Sequence, residues 1–174
     1  MSIFDNDNLI EISKEDINDA ALSCKDVEKS IKKRAFANIL GARLGIKFLH
    51  DIGVKANNFD SLYTIPAVLK DIDISDIKTE NNVKLDIRIV EDENHLFIPK
   101  SHYNYEITPD IYIFLKLSED SSGAVFIGAI APDEIDKSVE NADYYFITAN
   151  TLYNESSLKS VLEKGKPQGH DHVD

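Results

Sequence analysis

The stretch Val83-Lys84-Leu85-Asp86-Ile87-Arg88-Ile89-Val90 constrains this chain more than any other. Val83, Leu85, Ile87 and Ile89 alternate with Lys84, Asp86 and Arg88. Side chains on a strand alternate between the two faces of its sheet. One face of this strand therefore belongs to a core. The opposite face carries an acid and a base two residues apart, and the functional question turns on whether that face is a site or simply wet.

Other segments supply the rest of a sheet. Asp71 to Ile77 alternates acid and isoleucine and reads as a short strand, with Thr79 to Asn82 as a turn. Glu91-Asp92-Glu93-Asn94 is an acidic turn, after which His95 to Ile98 is expected to pair back as a hairpin partner, ended by Pro99. Ile111 to Leu117 is apolar on both faces, as a central strand is. Ala124 to Ile130 follows as another strand, with Gly128 marking a bulge or a close approach. Tyr144 to Thr148 reads as a last strand or edge, and Leu9, Ile10 and Ile12 as a short strand or docking segment.

Helices flank these strands. Ser13 is an N-cap, with Asp16 where a capping box prefers Glu. A short helix to about Cys24 would turn Ile17, Ala20, Ala21 and Cys24 to one side. Asp26 reads as a second N-cap. From Val27 the apolar positions recur at helical spacing through Ile31, Ala35 and Ile39, and continue to Gly53, a good helix stop. Gly41 and Gly45 each cost ~1 kcal/mol against Ala inside a helix. Their spacing suits close packing against a helix or the sheet. Lys32-Lys33-Arg34 reads as a solvated helix face. Ser61 to Asp71 reads as a short helix with Pro66 in its first turn. A final helix spans 154–163, with Leu158, Val161 and Leu162 inward.

These elements predict an α+β (or α/β) fold: a long N-terminal helix packed on a mixed central sheet of five to six strands, with a C-terminal helix. At 174 residues a single domain over 1–163 is expected, since domains commonly run to ~100–200 residues. Its N-terminal helical part is 13–53, its sheet part 71–148 and its C-terminal helix 154–163, with 164–174 as a disordered tail.

A net charge of −12 disfavours an open electrostatic grip on nucleic acid or an anionic membrane. It does not exclude nucleic acid held through Mg²⁺. Cys24 is the single cysteine, so no intrachain disulfide forms, and it reads as a small packed residue. The N-terminus lacks a basic region followed by an apolar run, and no apolar run approaches the ~20 residues of a membrane span. A cytoplasmic location without a membrane partner is the expectation.

No phosphate-binding loop, dinucleotide-binding glycine pattern or nucleophile elbow is present. His50, His95 and His102 are scattered. His170 and His172 stand two apart in a tail that lacks the preorganisation of a metal site. What remains is Asp76 with Asp86 and Arg88. An acid near one strand end, then acid-x-base on the next, suits metal-dependent phosphodiester chemistry. Asp76 and Asp86 would hold Mg²⁺, and Arg88 would stabilise charge rather than move a proton. The plainer reading is an exposed pair on a wet strand face, stabilising by less than ~1 kcal/mol. His102, Tyr103, Tyr105 and Tyr112 form a second concentration, either a recognition surface or the closure of the core at one end of the sheet.

Two resemblances follow from these residues. The order Phe48 to Gly53, Leu62 to Pro66, Asp73 to Ile77, Lys84 to Val90, Phe97-Ile98-Pro99, Asp110 to Leu115 and Phe126-Ile127-Gly128 resembles a bacterial family known only as domain of unknown function 1822. The resemblance covers roughly 33–135 and departs at Ala129, where the family has an aromatic residue. That family brings no established activity. More weakly, Asp76 with Asp86-Ile87-Arg88 resembles the restriction-endonuclease-like PD-(D/E)xK superfamily. Arg88 stands where that motif has lysine, and Gly41 to Gly45 offers no glutamate on the facing helix. The resemblance implies a Mg²⁺-dependent nuclease-like domain, active or degenerate. The leading expectation is a non-catalytic protein-binding or regulatory module without a cofactor, paired with a protein partner or a second copy. Nucleic acid enters only under the nuclease alternative.

Overall fold

The computed structural model describes residues 8–58 and 76–165. A two-residue strand, β1 (Ile10–Glu11), leads into helix α1 (Lys14–Ser23). Ser13 caps α1 as its sequence suggests. The Asp16 amide donates to Ser13 Oγ at 3.1 Å, and the Ser13 amide donates back to Asp16 Oδ2 at 2.9 Å. Aspartate therefore closes the box in place of glutamate. α1 buries Ala20, and Cys24 just beyond it is buried too. Ile17, expected inward, is 44% exposed.

Helix α2 (Lys32–Asp51) begins later than the expected Val27, and Asp26 does not cap it. Ile31 holds the N-cap position without a side-chain hydrogen bond, and turns occupy the intervening residues. Gly53 ends the run with φ of 82°, a left-handed conformation that favours glycine. Gly45 packs on the sheet: a Cβ there would lie 2.6 Å from Ile87 Cγ1.

The remaining elements are β2 (Ala56–Asn58), β3 (Asp76–Thr79), β4 (Lys84–Val90), β5 (Leu96–Pro99), a one-turn helix α3 (Ser101–Asn104), β6 (Ile111–Leu117), β7 (Gly123–Ile130), β8 (Tyr144–Ile147) and helix α4 (Glu155–Lys164). Asn154 caps α4 by accepting from the Ser157 amide at 2.8 Å. The fold is α+β. Its main sheet has six strands in the order β1-β7-β6-β4-β3-β2. β4 and β6 are parallel and every other pair is antiparallel, so the sheet is mixed. The helix expected over Ser61 to Asp71, and the strand positions before Asp76, lie outside the described residues. No helix among the described residues is long and apolar enough to cross a membrane.

Two expectations change. The segment His95 to Ile98 does not pair back onto β4. Both edges of β4 are taken by β3 and β6, and β5 pairs instead with β8 in a separate two-stranded sheet. Tyr144–Ile147 is the last strand, as expected, and pairs with β5 outside the main sheet. The sheet also extends beyond the expected 71–148, because β1 and β2 supply its outer strands. Gly128 fulfils both of its expected roles. The register steps from Phe114↔Gly128 to Leu115↔Phe126, which leaves Ile127 as a bulge. A Cβ at 128 would lie 2.5 Å from Leu152 Cβ.

The main sheet is covered on both faces. On one, Leu85, Ile87, Ile111, Ile113 and Leu115 pack with Leu44, Phe48 and Leu49 of α2 and with Leu158 and Leu162 of α4. On the other, Tyr112, Phe114 and Ile130 pack with Leu96 and Ile98 of β5 and Ile147 of β8. The small sheet is thus a lid over β6 and β7 on that face.

Candidate functional site

The polar side of β4 is not wet. Asp86 is 0% exposed and Arg88 8% exposed. The reading of these two as a solvent-facing pair is therefore overturned. His102 of α3 lies over Asp86, and an alternating pattern cannot report what a distant segment will lay over its polar positions.

Burial brings these residues together with two aromatics that the sequence placed in a different group. His102, on α3, is 1% exposed, and Tyr112, on β6, is fully buried. β4 and β6 run parallel with Asp86 beside Tyr112, so both belong to one face. His102 Nδ1 shares a hydrogen bond of 2.9 Å with the Tyr112 hydroxyl. The two rings stack, their centroids 5.8 Å apart and their planes 16° apart. Asp86 Oδ2 lies 3.7 Å from an Arg88 guanidinium nitrogen and 3.8 Å from His102 Nδ1. Both distances are in ion-pair range and beyond hydrogen-bond range. An acid, a guanidinium, an imidazole and a phenol thus share one nearly dry pocket, where charge interactions are stronger than in water.

The neighbouring strand adds a second pattern. In the antiparallel register of β3 and β4, Asp76 stands opposite Asp86, and Lys78 opposite Lys84. Lys78 was not among the expected site residues, although its spacing from Asp76 repeats that of Arg88 from Asp86. Asp110 secures the start of the parallel pair: its Oδ2 accepts from the Lys84 amide at 2.7 Å, and its own amide donates to the Lys84 carbonyl at 2.8 Å.

The fit to Mg²⁺ can be tested at Asp86. Mg²⁺ keeps several waters and wants open, octahedral oxygen ligation. Asp86 is fully buried with a guanidinium and an imidazole at its Oδ2, so it does not fit a hydrated cation. Among the described residues no group of three or more His, Cys, Asp or Glu side chains is placed to hold a metal. His170 and His172 lie outside the described residues.

The expected recognition group divides. His102 and Tyr112 belong to the buried cluster. Tyr103 is half-buried: its hydroxyl donates to the Pro132 carbonyl at 2.9 Å, and its ring meets Tyr145 edge-on at 5.3 Å. Burial, then the nearby Tyr145 and Asp133, push its phenol up to about 12. Tyr105 is 57% exposed. The aromatic residues that do face outward together were missed. Phe97 and Phe146 are direct cross-strand partners in the β5–β8 sheet, each 36% exposed. Tyr144 meets the Phe97 ring edge-on at 4.8 Å. Val139, 50% exposed, accepts from the Phe146 amide through its carbonyl. The signal was present as alternation in both strands, but only the pairing of β5 with β8 puts the two rings side by side.

Asp16 was foreseen only as a cap, yet it is a second buried carboxylate, 1% exposed. Arg43 Nε donates to its Oδ1 at 3.1 Å, and Lys47 donates to its Oδ2. Burial alone would raise its pKa. The Lys47 ammonium, the Ser13 amide and hydroxyl and the Arg43 guanidinium override burial and hold the carboxyl well below the usual carboxylate range. At Cys24, burial pushes the thiol up against the opposing pull of Lys32, which suits a packed residue and not a nucleophile.

No family model, characterised protein or solved structure matches the chain. The two resemblances rest on the sequence residues that carry them.

Proposed function

We propose that this chain is a non-catalytic protein-binding module whose docking surface is the outer face of the β5–β8 sheet. The observation that carries this reading is the Phe97–Phe146 pair. Two large aromatic side chains, registered opposite each other, keep part of their apolar surface in water on a lid whose other face already fills a core. Aromatic side chains of this kind anchor interfaces because they bury much area at little entropic cost. The segment that leads into β8 holds Asp133, Glu134, Asp136, Glu140 and Asp143 with one lysine, Lys137, among them, and Lys100 of the adjoining strand end pairs with Glu140. A partner of complementary, basic character follows from that charge.

Selection of a displayed random-peptide library on the pure protein tests the reading. Enriched peptides should combine aromatic or aliphatic residues with Lys or Arg, and should lose at least about tenfold in affinity on the Phe97→Ser/Phe146→Ser variant, a loss of ~1.4 kcal/mol. No enrichment, or equal binding to a folded variant, would sink it.

A second reading, a degenerate Mg²⁺-dependent nuclease-like domain, draws support from one observation: the register that sets Asp76 against Asp86 with Arg88 two residues on. The burial of Asp86 weighs for a decayed site over an active one. Incubation with DNA and RNA in Mg²⁺ or Mn²⁺ should give no cleavage. Cleavage that Asp86→Ala abolishes would restore the active version.

A further inference from the structure

We propose that the partner of the β5–β8 face is a second copy of this chain, bound head-to-tail through a groove at the junction of α1 and α2; the inference rests on the docking role given to that face. The groove, about 440 Å³, is lined by Asn18, Ala21, Leu22, Lys25 and Lys32. Leu22 is 69% exposed, the largest fraction among the exposed large apolar side chains of the described residues. The chain around it reverses the overall sign of the protein. Residues 25–34 hold Lys25, Lys29, Lys32, Lys33 and Arg34 against Asp26 and Glu28, in a molecule of net charge −12.

The two surfaces are complementary in kind. One offers Phe97, Phe146 and Val139 beside an acidic segment, and the other offers Leu22 and Ala21 beside a basic one. Each supplies an apolar centre, and each rim supplies the charge that the other lacks. Pairing two β5–β8 faces would instead set acid against acid. Pairing two grooves would set base against base. Only the crossed arrangement gains from both terms.

The fold then dictates how such contacts propagate. α2 packs on the Leu85–Ile87 face of the main sheet, and the β5–β8 sheet packs on the Tyr112–Phe114 face. The two surfaces therefore lie on opposite sides of the sheet. A copy engaged through one still presents the other, so the contact is heterologous and builds chains or rings instead of a closed two-fold dimer.

Sedimentation velocity of the full chain, from micromolar to millimolar concentration at low salt, is the test. The average mass should climb past that of a dimer and fall back when salt screens the rims. A groove variant, Leu22→Asp/Lys32→Glu, and a face variant, Phe97→Ser/Phe146→Ser, should each stay monomeric alone. Mixed together they should form a one-to-one dimer and stop, because each retains the surface that the other has lost. Val139→Asp is the substitute face variant if the double serine change unfolds the lid, as judged by circular dichroism. A wild type that stays monomeric throughout, assembly that stops at a closed dimer, or single-surface variants that still assemble would overturn the inference. A monomeric wild type that still binds selected peptides through Phe97 and Phe146 removes the self-partner and leaves the docking face standing. Loss of both removes the two together.

Discussion

Asp16 and Asp86 are both buried carboxylates facing two basic side chains, and different physics holds each in place. Asp16 lies under the rim of the α1–α2 pair. It accepts hydrogen bonds from Ser13, Arg43 and Lys47, while the Arg43 and Lys47 side chains remain 28% and 39% exposed. The acid is dry but its cations are wet. Asp86 lies inside the sheet's second core. Its facing groups, Arg88 and His102, are themselves 8% and 1% exposed at the side chain, and stand at ion-pair distance. There the acid and both basic side chains are dry. The comparison teaches that burial of a carboxylate says little alone. What matters is whether its neighbours can fall back on water when it is removed.

That contrast ranks the expected effects. Asp86→Ala should cost the most, ~3–5 kcal/mol, because it removes a fully buried charge that faces the buried Arg88. Urea unfolding monitored by circular dichroism measures it, and a loss below about 1 kcal/mol would place Arg88 in contact with water and break the comparison. Next is Gly45→Val, which drives a branched side chain into Ile87 on the opposite face of the same strand. About 1–3 kcal/mol of overpacking is expected in the same assay. Tyr112→Phe keeps the ring stack but takes the hydroxyl from His102 Nδ1, for about 1–3 kcal/mol. Asp16→Ala should cost less than Asp86→Ala, about 1–2 kcal/mol, comprising the lost cap and two half-solvated cation contacts. Equal losses at the two aspartates would erase the distinction.

The last expectation concerns pH and sharpens the comparison at Asp16 alone. Its folded-state pKa is lowered. Its contribution to stability is therefore complete above the ordinary carboxylate pKa of ~3.9 and is lost as pH falls below that value toward the folded-state one. The stability gap between wild type and Asp16→Asn should be flat between neutral pH and about 5, then narrow in more acid solution. A gap that widens on acidification would contradict the hydrogen-bond set described for Asp16.

Much of this architecture was legible one strand at a time. The alternation of Val83 to Val90 placed Leu85 and Ile87 in a core. The doubly apolar Ile111 to Leu117 became the parallel neighbour of β4 inside the sheet, and Ser13 with Asp16 closed a capping box. These signals are local, since period and capping chemistry are written in consecutive residues. The partner of β5 was not legible. β5 and β8 are separated by α3, β6 and β7, and nothing in His95 to Ile98 distinguishes a return to β4 from a passage across the sheet. The candidate site suffered from the same blindness. Asp86 and Arg88 were singled out, and so were His102 and Tyr112, but as separate groups. Their meeting depends on a parallel pairing and a one-turn helix that no spacing rule reports. Phe97 and Phe146 became a surface only through a pairing that was expected to be otherwise.

The sequence by itself determined which residues alternate, where the helices are capped and stopped, and that an acidic chain carries one basic stretch after its first helix. Tertiary structure decided what covers what. It turned the polar side of β4 from a wet face into a dry cluster of Asp86, Arg88, His102 and Tyr112, and turned Asp16 from a cap into a buried ionic centre. The reason is physical. Periodicity fixes the direction of a side chain relative to its own strand or helix, whereas burial, and with it the strength of every charge interaction, depends on elements brought in from far along the chain.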